Sequence, residues 1–277
     1  MFLYHLMHAR KWESIAPKWE YGKKPAICWL HHAGESADAR LVLDRFGYLP
    51  ALHSVIQEDV HRLSPKGHVF VLPWPSFSSW EWPPSQPNPY HGGKPVVLFC
   101  GTLRPHSVEM LGALQSELPD CEVHVISCNI YDASRRGELK GNRDGLFMIE
   151  ELPKGCVYHS PMAHSTFSQF YWYADVGIDI AASNGQRVAN TKLMDYLAAG
   201  LPIVSSGFAP GMEIAQQLGR IKIAEFGDVN QMATLVRDTL AAGRQESLRQ
   251  LSREFIAAHC SSNSVADTLA TLFENHR

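Results

Sequence analysis

From residue 96 onward, apolar runs of strand length alternate with segments whose apolar residues recur at helical spacing, and this alternation is what most confines the fold. The runs over 96–100, 121–127, 155–159, 175–181 and 202–206 read as strands. Segments 108–118, 165–174, 191–199, 210–218, 230–242, 246–260 and 264–275 read as helices. Strands separated by helices form parallel βαβ units, so the expected fold class is α/β, with a Rossmann-type parallel sheet spanning about 94–277.

The first 90 residues carry weaker signals. Strands are expected over 26–30, 52–56 and 69–72 and helices over 37–45 and 58–63, a smaller, abbreviated α/β part. Between the two lies a connector over 72–95, LPWPSFSSWEWPPSQPNPYHGGKP, which holds seven of the 17 prolines. Proline removes backbone donors and pushes its predecessor toward extended geometry, so this stretch reads as stiff and extended. Trp74, Trp80, Trp82 and Tyr90 within it have two readings. They pin the connector to the parts it joins, or they form a contact surface for an acceptor, a partner or a membrane.

Charge excludes one class of function. Lys and Arg number 25 against 28 Asp and Glu, and neither half is basic, which argues against a nucleic-acid platform built on phosphate neutralisation. The six cysteines contain no C-x-x-C pair, and several sit in apolar runs, as expected for reduced thiols in a cytoplasmic setting. No run reaches the ~18–20 apolar residues that span a bilayer, and the start MFLYHLMHARKW is too short and too punctuated by His and Arg for a signal peptide.

In an open parallel sheet, ligands gather at the carboxyl ends of strands, where helix N-termini present unpaired N–H groups to anions. Gly101-Thr102-Leu103-Arg104 directly follows the first strand of the second sheet. It is either a phosphate-approaching turn or a plain βα turn with a surface arginine, and G-x-G-x-x-G is absent. The denser constellation is RVANTKLMDYLAAGLPIVSS, from Arg187 to Ser206. Asn190 or Thr191 suits the N-cap, Lys192 falls in the first turn, and Asp195 lies three residues on, on the same side. A cation there opposes the helix macrodipole unless an anion sits between it and the N–H groups. Lys192 then meets a phosphate and Asp195 accepts from the vicinal hydroxyls of a ribose. The competing reading is an exposed Lys–Asp pair on an ordinary helix.

The run YADVGIDIAASNGQRVANTKLMDYLAAGLPIVSS resembles the donor-site signature of GT-B glycosyltransferases, a pattern of the form aDvgi-p…n…K-lEY-aaGlPvV, with family-4-like features. VVLFCGTLRPHSVEMLGALQSELPDCEVHVIS resembles the opening βαβ of their C-terminal domain, and the likeness covers roughly 94–260. It implies a nucleotide-sugar domain in which Gly101 and Arg104 face the diphosphate, Lys192 binds phosphate and Asp195 stands for the usual ribose-holding glutamate. The segment 159–163 falls where the family reads the base. Met162 lies within it and joins Arg187, Asn190 and Thr191 among the donor-side residues, although its residue type also suits core packing.

This sequence departs from the pattern at three places. Asp195 is one methylene shorter than glutamate, Arg187 stands where many retaining members carry a second glutamate, and His106-Ser107 replaces the usual Lys-Gly. The resemblance also implies an N-terminal domain comparable in size to its partner, against about 90 residues here.

The expected activity is transfer of a sugar from a nucleotide diphosphate sugar to a hydroxyl of a glycan or lipid-linked acceptor, in glycan or polysaccharide biosynthesis. No obligatory metal or other cofactor is implied. The alternatives are a non-catalytic nucleotide-sugar-binding subunit or a truncated remnant needing a partner, with an epimerase of related fold third. H-E-x-x-H, G-x-S-x-G, the P-loop and zinc spacings are all missing. His32 and Glu35 follow the strand AICWL, which makes them candidates for acid–base catalysis or chance members of a histidine-rich chain. The expected location is cytoplasmic, with peripheral placement on the inner membrane face as an extension of it.

Overall fold

Val96–Cys100 is five apolar residues long and every one is buried, as a strand must be when helices cover both faces of its sheet. In the computed structural model the described residues are 2–6, 26–30, 48–51 and 68–71, by backbone alone, then 82–127, 152–159, 162, 166–181, 191–208 and 212–275. The first four segments are strands β1 (Phe2–Leu6), β2 (Ala26–Leu30), β3 (Tyr48–Ala51) and β4 (His68–Val71), paired in parallel in the order β1-β2-β3-β4.

The second sheet contains β5 (Val96–Cys100), β6 (Glu122–Ile126), β7 (Val157–His159), β8 (Val176–Asp179), β9 (Ile203–Ser205) and β10 (Ile221–Ile223). All its pairs are parallel, in the order β10-β9-β8-β5-β6-β7. The chain works outward through β5, β6 and β7, then returns to the other side of β5 and works outward again. This is the doubly wound order, and its topological switch point lies between β5 and β8.

Helices α1 (Pro105–Glu117), α2 (Phe167–Tyr173), α3 (Thr191–Ala198), α4 (Met212–Gln217), α5 (Val229–Ala241), α6 (Glu246–His259) and α7 (Ser262–Asn275) complete the described elements. Alternating strand residues feed two cores. Val96, Leu98 and Cys100 meet Tyr171, Leu193, Leu197 and Ile256 on one face, while Val97 and Phe99 meet Leu111, Leu114, Met232 and Val236 on the other.

The periodicity located every expected element of this second sheet to within a few residues, and α1 begins three residues early because Pro105 is tolerated in a first helical turn. The edge strand β10 was not expected: it has three residues, all half-buried, too few to show alternation. In the first sheet the strand Tyr48–Ala51 was not expected, and the expected strand over 52–56 lies outside the described residues. Pro50 lacks a ladder donor, and the strand that contains it is in register with β4 over all four residues but with β2 only at Ala51 and Leu30. Phe2–Leu6 supply β1, a strand that was not expected. The expected helices over 37–45 and 58–63 lie outside the described residues.

The connector is pinned at its second half. Trp82 stacks on Trp172 with ring centroids 5.7 Å apart. Tyr90 is buried and donates its hydroxyl hydrogen to Phe170 O at 2.8 Å. Trp74 and Trp80 lie outside the described residues.

Candidate functional site

The switch point sets the carboxyl ends of β5 and β8 side by side, the place where open parallel sheets bind ligands, and four elements meet there. β5 ends at Cys100, so Gly101 is the first residue past its carboxyl end; β8 ends at Asp179, fully buried. α3 begins at Thr191 and projects Lys192 toward both. The Lys192 ammonium lies 2.8 Å from Asp179 Oδ1 and 4.5 Å from the centre of the Phe99 ring. A Cβ on Gly101 would stand 3.2 Å from Lys192 Nζ, so the bare backbone at 101 lets the ammonium lie close without shifting.

From the other side, α1 presents its N-terminus with Arg104 at the N-cap, its side chain exposed and making no cap bond. His106, in the first turn of α1, places Nε2 3.2 Å from Ala181 O, bridging α1 to the end of β8. Ser206 Oγ accepts from Ala181 N at 3.1 Å, and Ser205 Oγ lies 3.3 Å from Asp179 Oδ2, so the ends of β8 and β9 are held together by hydroxyls.

Tyr196 fixes the angle at which α3 meets the sheet. Its buried hydroxyl accepts from Cys100 N at 3.0 Å and lies 3.2 Å from the carbonyls of both Leu98 and Ile178. Burial pushes this phenol well above its ordinary range, so it stays a neutral donor. At the far end of α3, Arg249 reaches Ala199 O at 3.4 Å, Arg220 reaches Gly200 O, and Ser252 Oγ donates to Leu197 O at 2.7 Å. Cations and a hydroxyl thus satisfy the carbonyls that a helix leaves open at its C-terminus.

Among the residues singled out from the sequence, Gly101 and Lys192 come together at the switch point, and Arg104 is exposed at the N-cap of α1. Thr191 is the first residue of α3, and the position before it, where an N-cap would sit, lies outside the described residues. Asp195 is 8% exposed. The reading of Lys192 and Asp195 as an exposed ion pair is corrected, because the ammonium pairs with Asp179 instead. Met162 is half-buried and packs against the core that contains Tyr171 and Leu193. Arg187 and Asn190 lie outside the described residues, as do His32 and Glu35.

Sequence reasoning missed Asp179, Tyr196, His106 and Ser206 as parts of the site. The signal for Asp179 was a lone carboxylate inside the apolar strand VGIDI, a position that a buried strand leaves to apolar residues unless a partner arrives.

His159 closes β7 at the same edge, and its Nε2 lies 2.8 Å from His124 Nδ1. His124 Nε2 lies 3.2 Å from Glu122 Oε2. The carboxylate accepts only, so His124 carries its hydrogen on Nε2 and accepts at Nδ1 from His159 Nε2–H. Burial lowers both rings below the usual imidazole value, His159 to about 4 with a further push from His124. An unfolded histidine binds its proton near 6.5, whereas native His159 resists it until about 4. The resulting stability is therefore complete above pH 6.5 and lost progressively as pH falls toward 4. Urea midpoints at pH 7, 5.5 and 4.5 are expected to fall more steeply for the wild type than for His159→Gln; parallel curves would remove His159 as the cause.

No family model matches the sequence, and no curated protein matches it. Solved structures do match. A sucrose-phosphate synthase from Thermosynechococcus elongatus superposes with a TM-score of 0.70 at 14% identity, over 99% of this chain and 73% of that one. A glycosyltransferase from Rickettsia africae gives 0.68 at 13% identity, over 99% and 76%. Anabaena HepE in complex with UDP-glucose gives 0.66 at 11% identity, over 97% and 78%. At these identities the likeness speaks for architecture, and with the doubly wound order of the second sheet it shows that the chain has a GT-B-like fold with a Rossmann-type parallel sheet.

Proposed function

We propose that the chain is a glycosyltransferase that moves a sugar from a nucleotide diphosphate donor to a hydroxyl acceptor, in glycan or polysaccharide biosynthesis. The observation that carries this reading is the Lys192 ammonium seated against Gly101 at the switch point, between the N-termini of α1 and α3. Helix N-termini and a cation at the carboxyl ends of the strands suit an anion, and Gly101 lets it approach the backbone. In transfer, the acceptor oxygen bonds to the anomeric carbon as the bond from that carbon to the diphosphate oxygen breaks. Negative charge then grows on the departing diphosphate. Lys192, Arg104 and the helix N–H groups stabilise that charge in place of a metal. Asp195 takes the ribose hydroxyls, with Asn190, Thr191, Arg187 and Met162 on the donor side. His32 and Glu35 after β2 serve as the acid–base candidates on the acceptor side, in a domain spanning 1–90 joined by the connector over 72–95 to a donor domain over 94–277. HepE, solved with UDP-glucose and with UDP, supports a nucleotide-sugar donor by its shared fold.

Calorimetry with UDP, GDP and ADP, with and without chelator, is the test. At least one, most favourably UDP or GDP, is expected to bind equally well in both conditions, and Lys192→Ala is expected to weaken it ~10- to 150-fold while sparing the nucleoside, the range for a charge-assisted phosphate contact. Absence of heat from all three nucleotides overturns the donor reading.

A second reading, a nucleotide-sugar-binding subunit whose acceptor side comes from a partner or a cytoplasmic membrane face, is favoured by the four described strands of the first sheet against six in the second. Turnover by the purified chain, alone and then with host membranes or lysate, separates the two. Robust transfer to a soluble acceptor by the lone chain excludes the second.

A further inference from the structure

The donor site uses the carboxyl ends of the strands; a cavity of about 460 Å³ lies at their amino ends. Pro95, Asp175, Pro202 and Arg220, each immediately before a strand of the second sheet, line it. Five cations share the wall, Lys94, Arg220, Lys222, Arg244 and Arg249, while Asp175 is its sole carboxylate among the described residues. Asp175 is already engaged: Oδ1 accepts from Arg244 at 3.0 Å and Oδ2 from Val96 N at 2.8 Å.

The two innermost cations are the informative ones. Arg220 and Arg249 are 5% and 4% exposed, and their acceptors are main-chain carbonyls: Gly200 O for Arg220, Trp172 O and Ala199 O for Arg249. The Nε of each has no hydrogen-bond partner among the described residues. Capping α3 accounts for one Nη2 of each residue, but a helix C-terminus offers about half a negative charge against two full positive ones. Glu246, in the first turn of α6, is taken by Arg253 at 2.9 Å. Burial and the neighbouring Arg249 and Arg253 lower Arg220 to about 10, as uncompensated positive charge does. α6 also begins here, with Gln245 at its N-cap lining the cavity and making no side-chain cap bond.

We propose that this cavity binds a phosphate-bearing anion of small-metabolite size, at a site separate from the donor site. Buried guanidinium groups bind phosphate through paired hydrogen bonds, and the volume falls within the ~300–1,000 Å³ of small-molecule sites. The anion supplies the negative charge that the wall lacks, and Thr239 and Gln245 offer polar groups to the rest of the ligand.

The probe is inorganic pyrophosphate, titrated calorimetrically at fixed ionic strength into the wild type, Lys192→Met/Asp179→Leu and Lys222→Glu. The Lys192→Met/Asp179→Leu protein is expected to retain binding at the cavity, and Lys222→Glu introduced into it is expected to weaken that binding at least tenfold. Unchanged affinity on adding Lys222→Glu, or no binding to the Lys192→Met/Asp179→Leu protein, overturns the cavity site. Should the triple variant not fold, Arg244→Gln in the same background must give the same weakening or the proposal fails. The donor reading fails separately, by nucleotide calorimetry, so the two outcomes are distinguishable.

Discussion

Lys192→Met is expected to lower the free energy of unfolding by about 3 kcal/mol, the lower end of the cost of removing one partner from a buried ion pair. The loss arises at Asp179, which is fully buried and would lose the cation that balances its charge, with Ser205 Oγ, 3.3 Å from Oδ2, a neutral donor that offers no such charge. The reverse change, Asp179→Leu, is expected to cost about 1 kcal/mol, because the ammonium sits on a side chain 12% exposed and can turn to solvent. Ser205 loses its 3.3 Å contact with Asp179 Oδ2 in that variant but keeps the shorter bond to Gly207 O at 2.7 Å. The Lys192→Met/Asp179→Leu protein is therefore expected to return to within about 1 kcal/mol of wild type, as buried pairs replaced by apolar residues commonly do. Chemical denaturation of the four proteins measures the cycle. A Lys192→Met change below about 0.5 kcal/mol would mean that the pair is solvated. The double variant also isolates function from folding: it keeps the sheet but lacks the cation proposed to hold the donor phosphate.

Gly200→Ala is expected to be equally damaging, by about 3 kcal/mol, through backbone geometry alone. Gly200 ends α3 with φ +68°, the left-handed region that a Cβ disfavours by ~1–2 kcal/mol. In addition, a Cβ there would stand 2.8 Å from Arg249 O and 2.9 Å from Arg249 Cα, atoms of the α6 backbone that no rotamer change can move. Relief requires α6 to retreat from α3, which would also draw Arg249 and Ser252 from the carbonyls of Ala199 and Leu197. The check is the urea midpoint of Gly200→Ala beside that of Gly219→Ala, a glycine with φ +62° but open space around it. Equal losses at the two positions would assign the effect to φ and remove the packing argument.

The amino-acid sequence by itself determined five of the six described strands of the second sheet, because strand and helix periodicities are local and those apolar runs are clear, whereas β10 is too short to show one. Gly200-Leu-Pro202 marked the end of α3 and the start of the next strand, and Lys192 stood out because a cation in a first helical turn asks for an anion. The first sheet was less legible: Pro50 masked β3, and the apolar start FLYHL is too short to separate from a loop without its partner Ala26–Leu30. Tertiary structure alone decided what Lys192 touches. Its ammonium has Asp195 one turn away on the helix, yet the crossover from β8 into α3 brings it to Asp179. Tyr196 meets Leu98 across a separation of 98 residues, a contact no local pattern encodes. The same holds for the paired histidines on β6 and β7 and for the arginines gathered at the amino ends of the strands. Periodicity says which face of an element is buried. The winding order of the sheet says which charges are brought together behind it.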